Sequence, residues 1–184
     1  EAIGAEAFVP ANTLNGFGLF TLQELTMGKV SLEGSVRFDH AAMSTATLDR
    51  NFNTVSGALG IAFEFAPFLK AGVNVSHSER APTAEELFSN GPHIATAAFE
   101  VGDPTLATEK SNGVEIYLRG GTGPFHMSAA AYHSDFSNYI YEVPTGAQED
   151  GLPVYAYRQG GARYSGFEVD FGWTFYERGG LKLE

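Results

Sequence analysis

Runs of alternating apolar and polar residues recur along this chain, and they outlast ordinary strands. Residues 56–65, SGALGIAFEF, set Leu59, Ile61, Phe63 and Phe65 against Ser56, Ala58, Gly60, Ala62 and Glu64. Successive side chains of a strand point to opposite faces, so this pattern predicts a strand with one apolar and one polar side. After a short APF turn, residues 69–80 set Leu69, Ala71, Val73 and Val75 against Lys70, Gly72, Asn74, Ser76 and Ser78. Two such runs across a tight turn read as a β-hairpin. The unit recurs at 30–40 (Val30, Leu32, Val36 and Phe38 against Ser31, Glu33, Ser35, Arg37 and Asp39), reached from NGFGLFTLQELT through MGK. It recurs again at 112–119 and at 166–175, where Phe167, Val169, Phe171, Trp173 and Phe175 alternate with Gly166, Glu168, Asp170, Gly172 and Thr174. Between these two lies FHMSAAAYHSDFSNYIYEV, a strand whose two faces the pattern does not separate.

This makes seven strands with an eighth begun at GGLKLE, and the connections between them alternate in length. Short turns are expected near 27–29, 66–68, 121–124 and 177–180, and long connections near 41–53, 80–110 and 144–153. Several runs exceed the roughly 9–11 residues that span a bilayer, whereas ordinary strands average about 5–6. Phe65, Phe68, Phe125, Trp173, Phe175 and Tyr176 fall by the short turns, and Tyr139, Tyr141, Tyr155 and Tyr157 towards the long connections. Two aromatic belts are expected at the two interfaces of a membrane barrel. The competing reading is a soluble β-sandwich with an aromatic-rich core. The fold expected is all-β: part of a large antiparallel transmembrane β-barrel of about seven strands, with short periplasmic turns and long extracellular loops.

Composition narrows the functions open to such a chain. It carries 22 acidic and 11 basic residues, a net charge of −11, which argues against a nucleic-acid partner. It has no cysteine, so disulfides and thiolate metal sites are excluded. No run approaches the roughly 18 apolar residues of a membrane helix, but barrel strands escape that test because they alternate. The chain opens on Glu1 and stops on what reads as the start of a strand, so a piece of a longer protein is expected.

Two further stretches carry a resemblance. SERAPTAEELFSNGPH, followed by FEVGDPTLATEKSNGVEIYLR, supplies Arg80, Ala81, Pro82, Glu86, Leu87 and Phe88, then Gly102, Asp103, Pro104, Leu106, Glu109, Ser111, Asn112 and Glu115. GARYSGFEVDFGW adds Gly166, Glu168 and Trp173. This pattern resembles the barrel of TonB-dependent outer-membrane receptors, over the whole of 1–184. The resemblance implies about a third of a barrel of roughly 22 strands, set in the outer-membrane lipid of a Gram-negative bacterium. It implies transport of a metal or a metal chelate (zinc, haem or a siderophore) rather than catalysis, and no resident cofactor. The implied partners are a small metal-containing ligand, a plug domain of the parent chain, and TonB acting through that plug. The plug, the TonB-contacting box and the closing strand are not in this sequence. ELFSNGPHIATAAFEVGD resembles most the receptors for zinc or haem. The alternatives are a passive porin or a barrel enzyme of the outer membrane.

Individual residues admit plain and sharp readings. Pro82 ends a ladder because it lacks an N–H. Thr83 followed three residues on by Glu86 reads as a capping box, with Leu87 and Phe88 packing a single helical turn downward. The sharper reading places Arg80 and Glu85 against a ligand. Of the five histidines, His93 stands mid-loop with Glu100 and Asp103 behind it, and these three are the candidate metal ligands. His77 falls in the outward phase near a rim, and His126 beside a short turn. His133-Ser134-Asp135 looks like a catalytic trio, but neighbours on a strand face opposite ways and cannot assemble locally. Glu33, Arg37, Asp39, Glu64, Glu115, Arg119, Glu168 and Asp170 are expected to share the inward face. A basic residue turned towards lipid instead would cost about 2–4 kcal/mol near the midplane.

Overall fold

The structure is a computed structural model describing residues 8–178 and 181–183. Its elements in chain order are β1 (Asn12–Met27), β2 (Val30–Thr45), β3 (Asp49–Ala66), β4 (Leu69–Arg80), α1 (Ala84–Phe88), β5 (Asn90–His93), β6 (Ala98–Val101), β7 (Glu109–Thr122), β8 (Phe125–Glu149), β9 (Leu152–Trp173), β10 (Tyr176–Arg178) and β11 (Leu181–Leu183). Seven of these are long, and they are the seven expected runs. They pair antiparallel in the order β1-β2-β3-β4-β7-β8-β9 as one unclosed sheet. β10 and β11 pair with each other, which places the expected eighth run in a hairpin. The residues that join them, 179–180, lie outside the described residues.

Cross-strand partners share a face, so the registers assign every side chain. Leu59 opposes Val75, Val75 opposes Val114, and Val114 opposes His133, which opposes Ser165. One face therefore carries Phe17, Leu19, Val36, Leu59, Ile61, Phe63, Val73, Ile116, Phe167, Val169 and Phe171, all exposed. Exposure of this much contiguous apolar surface marks a face that meets an apolar medium. The opposite face holds all eight expected charges. On it Arg37 pairs with Asp39, and Asn74 donates to Glu115 at 3.1 Å.

The strand with unreadable faces is resolved by its partner. Phe125, Met127, Ala129, Ala131 and His133 oppose Trp173, Phe171, Val169, Phe167 and Ser165 on the apolar face. His126, Ser128, Ala130 and Tyr132 take the other. Small Ala129, Ala130 and Ala131 carry no contrast, and a register shift between Phe136 and Tyr139 interrupts the period. Asn138 takes a left-handed φ of 57° in that bulge.

One rim has tight turns at residues 28–29, 67–68 and 123–124. Beside it Phe125 and Trp173 stack with centroids 5.8 Å apart, while Phe63–Phe65 and Trp173–Phe175 meet edge-on at 4.9 and 6.0 Å, the expected lower aromatic belt. The other rim departs from expectation. Two of its three long connections are made by the strands themselves: β2 and β3 run on until only residues 46–48 join them, and β8 and β9 close at a turn about Asp150 and Gly151. Pro144 and Pro153 thus lie inside strands, Pro144 at a second register shift where a missing N–H does no harm. Nor do the four tyrosines form an upper belt. Tyr139 and Tyr141 oppose Gly160 and Arg158 on the polar-phase face, and Tyr157 packs against the mouth core.

Only residues 81–108 form a true excursion. It fills the gap above the shorter β4–β7 pair, between two tall ribbons, β2–β3 on one side and β8–β9 on the other. Met43 and Phe52 from the first ribbon and Ile140 from the second bury Leu87, Phe88 and Leu106. This hydrophobic cluster sits at the mouth, where the tall ends of the strands meet the excursion.

Candidate functional site

The excursion is built as its sequence predicts. Thr83 caps α1: its Oγ1 accepts from the Glu86 N–H at 3.2 Å, and Glu86 Oε2 accepts from the Thr83 N–H at 2.7 Å. Five helical residues cannot hold themselves in water, so the cap and the burial of Leu87 and Phe88 carry the turn. Arg80 donates to both oxygens of Glu86, at 2.8 and 3.1 Å, and to Glu109 Oε2 at 3.2 Å. The Glu86 contact, offset by partial burial and reinforced by Glu109, holds the guanidinium charged well above its ordinary value. Glu109 also accepts from the Ile140 N–H at 2.8 Å, tying the excursion's end to β8. Arg80 is therefore a structural clamp, with both carboxylates already engaged.

The rest of the motif has the same character. Pro82 is fully buried. Gly102 lies so close to α1 that a Cβ would stand 2.7 Å from the Leu87 carbonyl carbon and the Phe88 nitrogen. The Gly102 and Asp103 N–H groups donate to the carbonyls of Ser89 (2.7 Å) and Glu86 (2.9 Å). Pro104 follows in the turn that delivers buried Leu106, whose carbonyl accepts from Arg50 at 2.8 Å. Ser111 opposes Ser78 on the first part of β7, and Asn112 Oδ1 meets His77 Nδ1 at 2.8 Å on the outward face.

β5 and β6 form a hairpin in which His93 opposes Ala98, with Glu100 two residues on along the same face. His93 Nδ1 lies 2.7 Å from Glu100 Oε1 and 4.0 Å from Glu85 Oε1. Phe8 stacks on the imidazole at 4.2 Å and 8°. One ligand atom from each of Glu85, His93 and Glu100 lies within 4.8 Å of the other two. Glu100 is only 2% exposed. It accepts from the Thr96 hydroxyl at 2.9 Å and the Tyr157 hydroxyl at 3.4 Å. β6 pairs parallel with β9, Glu100 against Tyr155, which brings Tyr157 and its partner Glu142 alongside. Burial, then the Glu100 charge, pushes the Glu142 carboxyl up, and the same two causes push the Tyr157 phenol up.

The structure thus brings His93 and Glu100 together and leaves Asp103 out. Asp103 Oδ1 is taken by the Thr105 hydroxyl (2.6 Å) and N–H (2.8 Å), which hold its carboxyl below the usual range. Its backbone docking on α1 commits it to the turn. Glu85 stands in the place expected of Asp103. The sequence reading named Glu85 only beside Arg80, and gave Glu142 and Tyr157 no part in the site. Nothing in their spacing could have found them, because β9 lies more than fifty residues from the hairpin it joins.

The other histidines take other roles. His77 is on the outward face as expected, 3.3 Å from Glu79, which Lys110 also binds at 2.6 Å. His126 lies beside the tight turn, 3.7 Å from Asp170. His133 does contact Asp135, at 3.1 Å, with Ser134 turned away as expected. A different hydroxyl, Ser165 Oγ, lies 2.7 Å from His133 Nδ1, and Arg163 holds Asp135 at 2.7 Å. With His40–Asn53 (2.8 Å) and His77–Asn112, this pair lines the polar border above the apolar face.

A sheet of tall antiparallel strands, apolar on one face and charged on the other, with tight turns at one rim and a folded mouth at the other, is the wall of a wide transmembrane β-barrel. Residues 2–183 match the family described as TonB dependent receptor-like, beta-barrel, and the chain belongs to that family. Its fold is similar to a double mutant of the Serratia marcescens hemophore receptor HasR, solved with its hemophore HasA and heme (TM-score 0.76, 18% identity, 92% of this chain and 33% of that one). It is also similar to the copper transporter OprC (TM-score 0.74, 18% identity, 90% and 27%) and to the FrpB iron transporter of Neisseria meningitidis, F3-3 variant (TM-score 0.64, 14% identity, 93% and 24%). The chain spans about a third or less of the length of each.

Proposed function

We propose that this chain is part of the barrel of a Gram-negative outer-membrane receptor that takes up a metal or a metal chelate. Its apolar face meets lipid. Its charged face lines a lumen that a plug domain of the parent protein fills, and the plug answers to TonB. The carboxylate–imidazole cluster under the excursion carries the reading, because it sets metal-binding groups at the mouth on a motif-built support. Family membership agrees with it, and the similar structures include proteins named for heme, copper and iron. The chain does no chemistry in this reading: the mouth captures, and the parent's plug moves.

Uptake assays test it. The gene of the full-length receptor is deleted, and accumulation of zinc, copper, haem and ferric siderophores is followed with and without TonB. Loss of one TonB-dependent uptake is the expected result. Passive entry of small solutes that is indifferent to TonB would make the protein a porin.

A further inference from the structure

We propose that the outward face of β3, β4, β7, β8 and β9 seats one phosphorylated, many-chained glycolipid of the outer leaflet, lipopolysaccharide, with acyl chains in two apolar grooves and phosphates on Arg163 and Lys110. The proposal rests on the receptor reading for the leaflet, while the site itself stands on the registers and the relief of the sheet.

Relief is the first argument. Along one cross-strand row of the apolar face Phe63 opposes Ala71, Ala71 opposes Leu118, Leu118 opposes Ala129, and Ala129 opposes Val169. In the next row Ile116 opposes Ala131, which opposes Phe167. Alanine thus lowers the surface at three places between Phe63 and Phe167, and a groove of about 670 Å³ opens there. A second groove of about 510 Å³ is lined by Val36, Leu59 and Val75 around Gly57, and it reaches His77. A void leaves its lining atoms without dispersion partners. A chain that fills these grooves is therefore held better than one lying on a level wall.

The border is the second. Above the grooves, on the same face, His77 opposes Asn112, Asn112 opposes Asp135, and Asp135 opposes Arg163, with the Lys110–Glu79 pair beside them. The Arg163 side chain is 81% exposed and gives its Nε to Asp135 at 2.7 Å. Both terminal nitrogens of its fork have no partner among the described residues, and a fork of that kind suits phosphate. Lys110 gives Glu79 one hydrogen bond of 2.6 Å and keeps two further donors. The two carboxylates are themselves held, Glu79 by the Val55 N–H at 3.0 Å and Asp135 by His133 at 3.1 Å, so both cations are positioned in advance. Lys110 and Arg163 stand two strands apart, about 10 Å at the backbone. That spacing suits two phosphates of one headgroup, and two grooves suit a lipid of many chains.

The test uses the full-length receptor in detergent, stripped of lipid and titrated with lipid A, with its dephosphorylated form or with phosphatidylglycerol, the bound lipid being counted by native mass spectrometry. One lipid A per receptor is expected, held about tenfold or more tightly than either of the others. Arg163→Gln should weaken it to a similar extent, as should Lys110→Gln. Ala129→Phe fills the groove with an apolar side chain on an apolar face, and should displace lipid A while leaving the phosphate donors in place. Glu168→Gln, on the opposite face, should leave binding unchanged. Failure to retain lipid A, or phosphatidylglycerol bound as tightly, would overturn the proposal. So would equal affinity in Arg163→Gln and the wild type, the comparison that decides if Ala129→Phe does not fold. TonB-dependent uptake by a receptor that holds no lipid A would sink this proposal alone, whereas lipid A binding with TonB-indifferent entry would sink the receptor reading and leave the site standing.

Discussion

Arg80 and Glu86 close the foot of the excursion, the guanidinium meeting the carboxylate through two hydrogen bonds of 2.8 and 3.1 Å while Glu86 also caps the Thr83 N–H. One carboxylate thus serves the helix cap and the strand end together, and Glu109 binds the same arginine from the returning strand. Arg80→Met removes the link and leaves two carboxylates facing each other. Because Arg80 is 43% exposed, the loss should be modest, about 1–2 kcal/mol. Limited proteolysis of the full-length receptor should cut within 81–108 in the variant and not in the wild type, with the barrel resistant in both. Arg80→Lys should rescue little, since an ammonium cannot reproduce the fork.

Leu87 is 1% exposed in the mouth core. Leu87→Ala should destabilise the excursion by about 2–4 kcal/mol through lost burial and a cavity. Hydrogen exchange should rise across 84–106 while the belt segments of β3, β4 and β7 keep their protection. Equal rises in all of these would mean that the mouth and the sheet fold as one unit.

Gly102 is dictated by contact and not by dihedral freedom. Gly102→Ala drives a methyl into the backbone of Leu87, Phe88 and Ser89, where no side chain can yield. The excursion should undock, losing its protease resistance as fully as Leu87→Ala does. Wild-type resistance in this variant would contradict the docking of 102 on α1.

The two faces of β4 should respond oppositely to charge. Val73→Lys places an ammonium on the exposed apolar face and should cost about 2–4 kcal/mol of folding stability in lipid. Asn74→Lys, one residue on, faces the charged side beside Glu115 and should be tolerated. Urea unfolding in liposomes distinguishes them, and equal costs would refute the register.

Asp103 makes the mouth sensitive to acid. Its carboxyl is held below its ordinary value of 3.8 by the Thr105 hydroxyl, with the Thr105 N–H adding to it. A group whose folded pKa is depressed stabilises the fold above the unfolded pKa and loses that contribution as pH falls through the folded one. The advantage of the wild type over Asp103→Asn should therefore be complete at pH 6 to 7 and vanish below the ordinary carboxyl range. An advantage independent of pH would show that the shape of the turn, and not its charge, holds it.

What the sequence alone determined is local and periodic. Seven strands, their apolar and charged faces, the tight rim and the Thr83–Glu86 cap all follow from spacings of two or three residues, within which side-chain direction is set by the backbone. Even the motif was legible as architecture: Pro82, Glu86, Leu87 and Phe88 do what a capped, buried turn requires. Where the period failed, at Ala129–Ala131 and at the bulge around Asn138, only the partner strand could assign the faces, because alanine carries no contrast and a bulge shifts the count. The tall ribbons were hidden for a related reason: beyond the belt neither face meets lipid, so the alternation that marks a strand fades while its hydrogen bonds continue. The carboxylate–imidazole cluster belongs wholly to tertiary structure. His93 and Glu100 are near in sequence, but the parallel pairing of β6 with β9 delivers Tyr157 and Glu142, and the docking of Gly102 on α1 sets Asp103 aside and leaves Glu85 in its place. Such long-range pairings depend on the summed packing of the whole mouth, and no spacing along the chain encodes them.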